Sequence, residues 1–250
     1  MKKVVWIVGA SEGIGLALVK LYLQNGDRVV ASARNTEASQ NLNELKKSYT
    51  SELSLVDIDV RSEQSVSEAT DEVCRLYGGI DLCIYNAGVY ESMRIESWDL
   101  AHLNAMNDVN YLGAVRLLHA LVPHFMAQGV GHVVFNASIS SYFGLPYGGG
   151  YSAPKAALLN LCESLYPELQ SKNIKLQVIN HGFVKTRLTA KNKFSMPQLL
   201  EPEVAAEKIF AGITKSVSFE IKFPFLLSSF LHLLRLLPYK IAFAVTKRAL

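Results

Sequence analysis

The chain has 250 residues, half of them apolar, so it can bury the core of one α/β domain or of two small ones. Its net charge of +3 is small and its lysines and arginines are scattered, which argues against a nucleic-acid-binding protein. Three cysteines without metal-ligand spacing indicate reduced thiols, as in a cytoplasmic protein, with neither a disulfide framework nor a metal site.

Short β-rich apolar runs alternate with longer helical patterns almost to the end of the chain. The predicted strands are 3–9, 28–33, 52–58, 80–86, 131–138, 175–180 and 216–221, and the predicted helices are 13–25, 36–48, 62–77, 99–127, 151–171 and 202–215. Most of the strands are continuously apolar, as strands covered on both faces are. Residues 1–222 are therefore predicted to form a single Rossmann-type domain, a doubly wound parallel α/β sheet of about seven strands with helices on both faces.

A glycine-rich loop follows the first predicted strand. Gly9, Gly13 and Gly15 would allow a tight turn and let the backbone approach a pyrophosphate at the positive end of the first helix. A merely structural strand-to-helix turn is the alternative. The sequence favours a dinucleotide-binding loop, and the neighbours of the glycines that would share the contact are Ser11, Glu12 and Ile14.

The end of the second predicted strand bears on which dinucleotide binds. NAD-binding proteins usually carry an acidic residue there, which takes the ribose hydroxyls. This chain has Ala33 and then Arg34, whose guanidinium can pair with a 2′-phosphate. NADP(H) is therefore favoured over NAD(H), although Glu12 stands where a second basic residue would have helped.

With these residues in view, the chain resembles the short-chain dehydrogenase/reductase family over about residues 3–221. Four further landmarks fall in the family's order: Asp59-Val60 after the third strand, "YNAG" at 85–88 after the fourth, "NASIS" after the fifth, and "YSAPK" from residue 151. The resemblance implies further cofactor contacts at Asp59, Val60, Asn86, Ala87, Gly88, Val184 and Thr186.

The resemblance also implies four catalytic residues, Asn110, Ser138, Tyr151 and Lys155. Tyr151 and Lys155 would share one helix face, although such a pair can also be two solvated helix residues. Tyr151 would be the general acid/base, with the pKa of its phenol lowered by the Lys155 ammonium together with a positively charged nicotinamide ring, and both residues would contact the cofactor. Ser138 would hold the substrate oxygen, and Asn110 would hold a water that links Lys155 to solvent.

The chain departs from the family pattern at two places. Tyr85 replaces the first asparagine of the family's Asn-Asn-Ala-Gly, and His181 replaces the proline of its Pro-Gly after the sixth strand. His181 is either an extra catalytic or substrate contact, or a tolerated change where backbone atoms touch the cofactor. The segment of about 187–200 that follows is predicted to be a substrate lid.

Residues 223–250 are predicted to be an apolar helical extension of the same domain. Ser228, His232 and Arg235 interrupt the apolar run and Pro238 stops it, so it should not span a membrane. Three interpretations stay open: packing on the protein's own core or a partner subunit, an interfacial helix on anionic lipid, or an apolar roof over a hydrophobic substrate. The second would give a peripheral membrane contact through residues 225–248.

These features together predict an NADP(H)-dependent oxidoreductase that interconverts a carbonyl and a secondary alcohol by hydride transfer. A hydrophobic small molecule, such as a lipid-like or steroid-like ketone, is the expected substrate. A dinucleotide-binding sensor or scaffold without redox turnover is the alternative. The resemblance further implies a homodimer or homotetramer, and the expected location is cytoplasmic, with or without attachment at a membrane's periphery.

Overall fold

The structure is a computed structural model that describes residues 2–192 and 194–249. Its strands are β1 (Val4–Val8), β2 (Arg28–Ala33), β3 (Leu53–Asp57), β4 (Leu82–Tyr85), β5 (Gly131–Asn136), β6 (Ile174–His181) and β7 (Glu220–Phe223). They form one parallel sheet in the order β3-β2-β1-β4-β5-β6-β7, so the predicted doubly wound sheet is confirmed. Met1, Lys193 and Leu250, which belong to the predicted domain, lid and extension, lie outside the described residues.

Helices cover both faces of this sheet. They are α1 (Gly13–Gln24), α2 (Gln40–Ser48), α3 (Glu63–Tyr77), α4 (Leu100–Asn107), α5 (Gly113–Gln128), α6 (Gly149–Gln170), α7 (Pro202–Lys215), α8 (Phe225–Leu236) and α9 (Tyr239–Thr246). Successive side chains of a strand point to opposite faces. Accordingly Trp6 belongs to the core on one face of the sheet and Ile7 to the core on the other. Every residue of β1 is buried, which explains why that strand is apolar throughout.

The last strand lies later than predicted, at Glu220–Phe223 instead of 216–221. Side chains of β6 take the carbonyls that an earlier strand would have used: Lys175 Nζ donates to Ser216 O at 2.9 Å, and Gln177 Nε2 donates to Ser218 O at 2.7 Å. Strand pairing with β6 therefore begins only after these residues. The residue pattern of 216–221 could not reveal that side chains of β6, and not its backbone, bind the carbonyls of Ser216 and Ser218.

The predicted long helix 99–127 is α4 and α5 joined by a π-helical turn, Asp108–Leu112. The Tyr85 hydroxyl donates a hydrogen bond to Val109 O in this turn at 2.5 Å. Gly113 leaves room for the hydroxyl, because a Cβ there would lie 2.3 Å from it. The departure from the family pattern at Tyr85 thus supplies a buried donor to a carbonyl in a widened helical turn.

Helices α8 and α9 pack on the loop that follows β5. Leu231, Leu234 and Ala242 form a small apolar cluster with loop residues that include Tyr142 and Phe143. The extension therefore makes the contact with the protein's own core that the sequence left as one of three interpretations. Among the described residues, no helix is both long and apolar enough to cross a bilayer.

Candidate active site

One cavity of about 1280 Å³ lies at the carboxyl ends of the strands. The strand order reverses between β1 and β4, and the loops after these two strands diverge there to form its floor. Sixteen predicted residues line it: Gly9, Ser11, Glu12, Gly13, Ile14, Arg34, Asp59, Val60, Asn86, Ala87, Gly88, Ser138, Tyr151, Lys155, Val184 and Thr186. The volume exceeds the roughly 300–1,000 Å³ typical of a pocket for one small ligand, so a cofactor and a second molecule fit together.

The three loop glycines have separate structural roles. Gly9 has a φ of 87°, and a Cβ there would lie 2.6 Å from Ala87 N. Gly13 opens α1 on the cavity wall, where a Cβ would lie 3.1 Å from Thr186 Cγ2. Gly15 does not line the cavity; a Cβ there would lie 2.1 Å from Gly9 O, so it lets α1 pack against the loop from behind. The open space at the positive end of α1 fits the pyrophosphate of a dinucleotide.

Arg34 and Asp59 lie on the side of the cavity formed by β2 and β3. Asp59 accepts two close hydrogen bonds from Arg61, at 2.9 Å from Nε and 2.6 Å from Nη2. These bonds lower the pKa of Asp59 to about 2, against the opposing effect of burial. Arg34 is exposed and forms no ion pair with any described residue, so its guanidinium is available to an anionic ligand. Sequence reasoning missed Arg61, which also lines the cavity.

Two exposed ion pairs attach the predicted lid to the cavity rim. Arg187 Nη2 lies 2.7 Å from a carboxylate oxygen of Glu12 in the glycine loop. Lys191 Nζ lies 2.5 Å from Glu91 Oε2, in the segment after β4. Exposed pairs of this kind stabilise by only about 0–1 kcal/mol. Glu12, predicted as a cofactor contact, is thus paired across the cavity mouth.

A line of hydrogen bonds runs beneath the cavity from β1 to α6. Asn86 Nδ2 donates to Gly9 O at 2.8 Å, and Asn136 Nδ2 donates to Asn86 Oδ1 at 2.7 Å. Lys155 Nζ donates to Asn136 O at 2.6 Å. The buried Asn136 Oδ1 has no hydrogen-bond partner among the described residues. Sequence reasoning missed Asn136, although a polar residue at the carboxyl end of a buried strand is a usable signal.

Asn110 is fully buried in the π-helical turn and does not line the cavity. Its Nδ2 donates to Val89 O at 2.8 Å, and its Oδ1 accepts from Val89 N at 3.0 Å. Both polar atoms of the side chain are therefore engaged with the loop after β4. Gly88 lies against the same amide, since a Cβ at Gly88 would be 3.2 Å from Asn110 Oδ1. The side chain positions the loop that carries Asn86, Ala87 and Gly88.

Ser138, Tyr151 and Lys155 meet on one wall of the cavity. The Ser138 hydroxyl lies next to the Tyr151 phenol, and Lys155 Nζ lies 5.7 Å from the centroid of the Tyr151 ring. Burial raises the pKa of Tyr151 to about 12, although the nearby Ser138 hydroxyl opposes the shift. Burial also lowers the pKa of Lys155 to about 7. The sequence predicted that Lys155 together with a charged nicotinamide ring would lower the pKa of this phenol; in the protein alone, desolvation is the largest effect on it.

The depressed pKa of Lys155 predicts a specific pH dependence of stability. Between about pH 7 and its ordinary value of 10.5, the unfolded chain holds a proton on this lysine that the folded protein lacks. The lysine's contribution to the free energy of unfolding should therefore rise with pH across this window, by up to about 1.4 kcal/mol per pH unit. The free energy of unfolding of Lys155→Met should exceed that of wild type most at pH 7, and this difference should be lost by pH 10. Denaturant unfolding at both pH values measures this, with the exposed Lys20→Met as control; a pH-independent difference would contradict it.

Asn180 couples the Ser138 loop to the last strand. This fully buried amide accepts from Ser138 N and from Ser141 Oγ, each at 3.2 Å, and donates to Glu220 Oε1 at 2.7 Å. Tyr142 donates a very short hydrogen bond to the same carboxylate oxygen. Although burial acts in the opposite direction, hydrogen bonds from Tyr142 and Asn180 keep the pKa of Glu220 below its ordinary value. Sequence reasoning missed this network because Glu220 lay inside a misplaced strand.

His181 lines the cavity and stacks on Phe223, with 6.1 Å between the ring centroids. Its Nδ1 lies 2.6 Å from Gly182 O and therefore donates to it, which leaves Nε2 as an acceptor. Burial lowers the pKa of His181 to about 4, with a smaller contribution from the Lys155 charge. At neutral pH the ring is uncharged. The sequence left two interpretations of His181, a catalytic or substrate contact and a tolerated change. Its position on the cavity wall is compatible with the first.

Helix α8 closes the cavity next to Gly182. Leu227 and Leu231 line the cavity, and a Cβ on Gly182 would lie 3.5 Å from Leu227 Cδ2. Phe194 of the lid lines the same cavity and packs edge-on against Phe183. The extension therefore also forms part of an apolar roof, which was the third interpretation of its sequence.

Comparisons with known proteins agree with this architecture. The sequence profile of the short chain dehydrogenase family matches residues 3–196. A Myxococcus xanthus protein named as an uncharacterized oxidoreductase is 31% identical over 242 residues, which is 97% of this chain and 95% of that protein.

Two solved structures are similar in fold. A short chain dehydrogenase from Burkholderia cenocepacia in complex with NADP has a TM-score of 0.85 and 22% identity, covering 98% of this chain and 97% of that one. A short chain dehydrogenase/reductase from Burkholderia phymatum in complex with NAD has a TM-score of 0.81 and 22% identity, covering 91% of each chain. The chain belongs to the short-chain dehydrogenase family and is an NAD(P)-dependent oxidoreductase.

Proposed function

We propose that this oxidoreductase uses NADP(H) to interconvert a carbonyl and a secondary alcohol. The observation that carries the proposal is the group of Ser138, Tyr151 and Lys155 on one wall of a cavity whose glycine-lined end fits a dinucleotide. A phenol, a hydroxyl and an ammonium side by side can bind an oxygen atom and move a proton to or from it. No redox-active side chain is needed, since the cofactor supplies the hydride.

In the reduction direction, the substrate oxygen would lie between the Ser138 hydroxyl and the Tyr151 phenol. Ser138 would donate a hydrogen bond that positions the carbonyl. Tyr151 would donate the proton, and its raised pKa keeps the phenol protonated at neutral pH, which is the form this step needs. In the oxidation direction, the positive charges of Lys155 and of a bound nicotinamide ring would favour the phenolate. We assign to Lys155 a further contact with the nicotinamide ribose, and to Val184 and Thr186 contacts with its amide.

The preference for NADP(H) over NAD(H) is proposed from Arg34. An exposed guanidinium without an ion-pair partner among the described residues can form charge-assisted hydrogen bonds to a 2′-phosphate. Asp59, the nearby carboxylate, is already paired with Arg61 and so presents less negative charge to that phosphate. The two similar structures do not decide the matter, since one was solved with NADP and the other with NAD.

Arg34→Ala should weaken NADPH binding by about 10- to 100-fold, the loss expected for a hydrogen bond to a charged group. Affinity for NADH should stay within about twofold, because NADH has no 2′-phosphate for the guanidinium to contact. Fluorescence titration with each cofactor measures both constants. Arg75→Ala, which removes an exposed arginine outside the cavity, is the matched control. Equal weakening of NADPH and NADH binding would contradict the assignment.

The substrate is proposed to be hydrophobic, because Leu227, Leu231 and Phe194 supply apolar walls to the cavity. We further propose a peripheral membrane contact through residues 225–248 and assembly as a homodimer or homotetramer. The free thiols of Cys74 and Cys83 support a cytoplasmic location.

A screen of NADPH oxidation against ketones of graded chain length tests the proposed function. Turnover should increase with chain length as more apolar surface is buried in the cavity. Binding of NADPH without turnover of any ketone or alcohol in the series would contradict the proposal and favour the sensor or scaffold alternative.

A further inference from the structure

Helix α8 buries Ser228, Leu231 and Leu234, and on its outer side it leaves large apolar side chains exposed. Ser228 is fully buried, and the His232 ring lies 3.8 Å, centroid to centroid, from the ring of Tyr142. The large side chains on the outside of α8 and α9 are between 46% and 81% exposed: Phe225, Leu226, Phe230, Leu233, Leu236, Tyr239, Ile241 and Phe243. We call this set the α8–α9 surface. A surface helix of a globular protein normally carries polar residues on the side opposite its buried face, so this exposed apolar set indicates a binding surface.

The charge around the α8–α9 surface identifies the kind of partner. Residues 221–250 contain no aspartate or glutamate. Their basic residues, Lys222, Arg235, Lys240, Lys247 and Arg248, are all exposed. Lys222 is paired with Glu220 at 3.4 Å, and the other four form no ion pair with any described residue. In a two-fold contact between two copies of this chain, the same surface would meet itself and bring eight unpaired like charges together. An anionic lipid bilayer instead offers apolar chains to the aromatic and leucine side chains and negative headgroups to the cations.

The dimensions of the two helices fit a contact in the plane of the membrane. Helix α8 has 12 residues and α9 has 8, against about 20 needed to cross the hydrocarbon core. An apolar side with cations beside it is the pattern of interfacial helices.

The same helix connects this surface to the active-site cavity. Leu227 and Leu231 on the cavity wall each follow directly after an exposed member of the surface, Leu226 and Phe230. Phe194 of the lid also lines the cavity and is 45% exposed. An apolar molecule that moves between α8 and the lid would pass from the lipid-facing side to the cavity along apolar side chains.

We infer that the α8–α9 surface docks on an anionic bilayer and that the substrate, an apolar carbonyl compound dissolved in that bilayer, enters the cavity between α8 and the lid. The docking half of this inference stands on the surface alone. The substrate half rests on the proposed function.

Docking is tested by co-sedimentation of the full chain with vesicles of phosphatidylcholine alone or with 30 mol% phosphatidylglycerol, roughly the charge density at which basic segments bind. The wild type should bind the anionic vesicles at least about 10-fold more strongly than the neutral ones, and Leu226→Glu/Phe230→Glu should lose that binding. Val217→Glu, at an 89% exposed apolar residue outside the surface, should retain it. The inference would be overturned if the wild type did not bind vesicles. It would also be overturned if the wild type formed a dimer and Leu226→Glu/Phe230→Glu were monomeric.

The substrate route is tested with two ketones and NADPH. Reduction of a short, water-soluble methyl ketone by Leu226→Glu/Phe230→Glu should stay within about twofold of wild type, because neither residue lines the cavity. Reduction of a long-chain methyl ketone held in anionic vesicles should fall at least about 10-fold. Equal effects on both ketones would overturn the route. Failure of the wild type to reduce either ketone would refute the proposed function and the route, while the vesicle experiment would still decide docking.

Discussion

Tyr151→Phe is expected to lower kcat for ketone reduction by about 10²- to 10⁴-fold, the usual contribution of a positioned general acid. The substitution keeps the ring and removes only the hydroxyl that lies next to Ser138. Because the phenol is assigned mainly to proton transfer and would be only one of many contacts with the dinucleotide, the dissociation constant for NADPH should change by less than about threefold. Steady-state kinetics with the best ketone of the chain-length series, together with an NADPH fluorescence titration, measure both quantities.

Tyr166→Phe is the matched control, since it makes the same change on the same helix, α6, outside the cavity. Its kcat should remain within about twofold of wild type. If Tyr151→Phe kept the kcat of wild type, or if Tyr166→Phe lost as much kcat as Tyr151→Phe, Tyr151 would not be the general acid.

Gly15→Ala is expected to impair folding and cofactor binding together, although Gly15 does not line the cavity. The added Cβ would lie 2.1 Å from Gly9 O and 2.7 Å from Asn86 Nδ2, and both positions belong to the line of hydrogen bonds under the cavity. Either the glycine loop or α1 must move. Overpacking of this kind costs about 1–3 kcal/mol or more of stability, and we expect NADPH affinity to fall at least about 10-fold as the loop shifts.

Gly26→Ala separates this effect from a general intolerance of alanine. Gly26 has a φ of 85°, but no atom lies within 4 Å of a Cβ added there. The Gly26→Ala variant should lose about 1–2 kcal/mol of stability through backbone strain alone and keep its NADPH affinity. Chemical denaturation and cofactor titration on both variants decide the matter. Normal NADPH binding by Gly15→Ala would show that the loop tolerates the displacement and that the packing argument is wrong.

The sheet and the location of the site were predictable from local patterns. Continuous apolar runs such as 3–9 become strands buried on both faces, and residues that follow such strands must gather at the carboxyl edge of a parallel sheet. For this reason Gly9 and Arg34 could be placed around one crevice from their positions in the chain. The family resemblance added Ser138, Tyr151 and Lys155, and the structure brings all three to the same wall.

Features that depend on burial and side-chain competition were not predictable. The directions of the pKa shifts of Tyr151 and Lys155 follow from desolvation, which no sequence motif encodes. The Asn180–Glu220 contact joins two strands whose register is set by side chains of β6. The side of α8 that packs inward was not predictable either, because most residues of this helix are apolar and either side could pack on the protein. The contact of His232 with Tyr142 identifies the inward side.

Transfer of deuterium from the cofactor to the product most directly tests whether this cavity performs hydride chemistry on a carbonyl. The wild type would be incubated with NADPH deuterated at C4 on one or the other face, and with a ketone that supports turnover. Mass spectrometry of the alcohol should find one deuterium at the carbinol carbon from one of the two labelled cofactors, with the hydroxyl proton derived from solvent through Tyr151. Alcohol that carries no deuterium with either labelled cofactor would contradict the account.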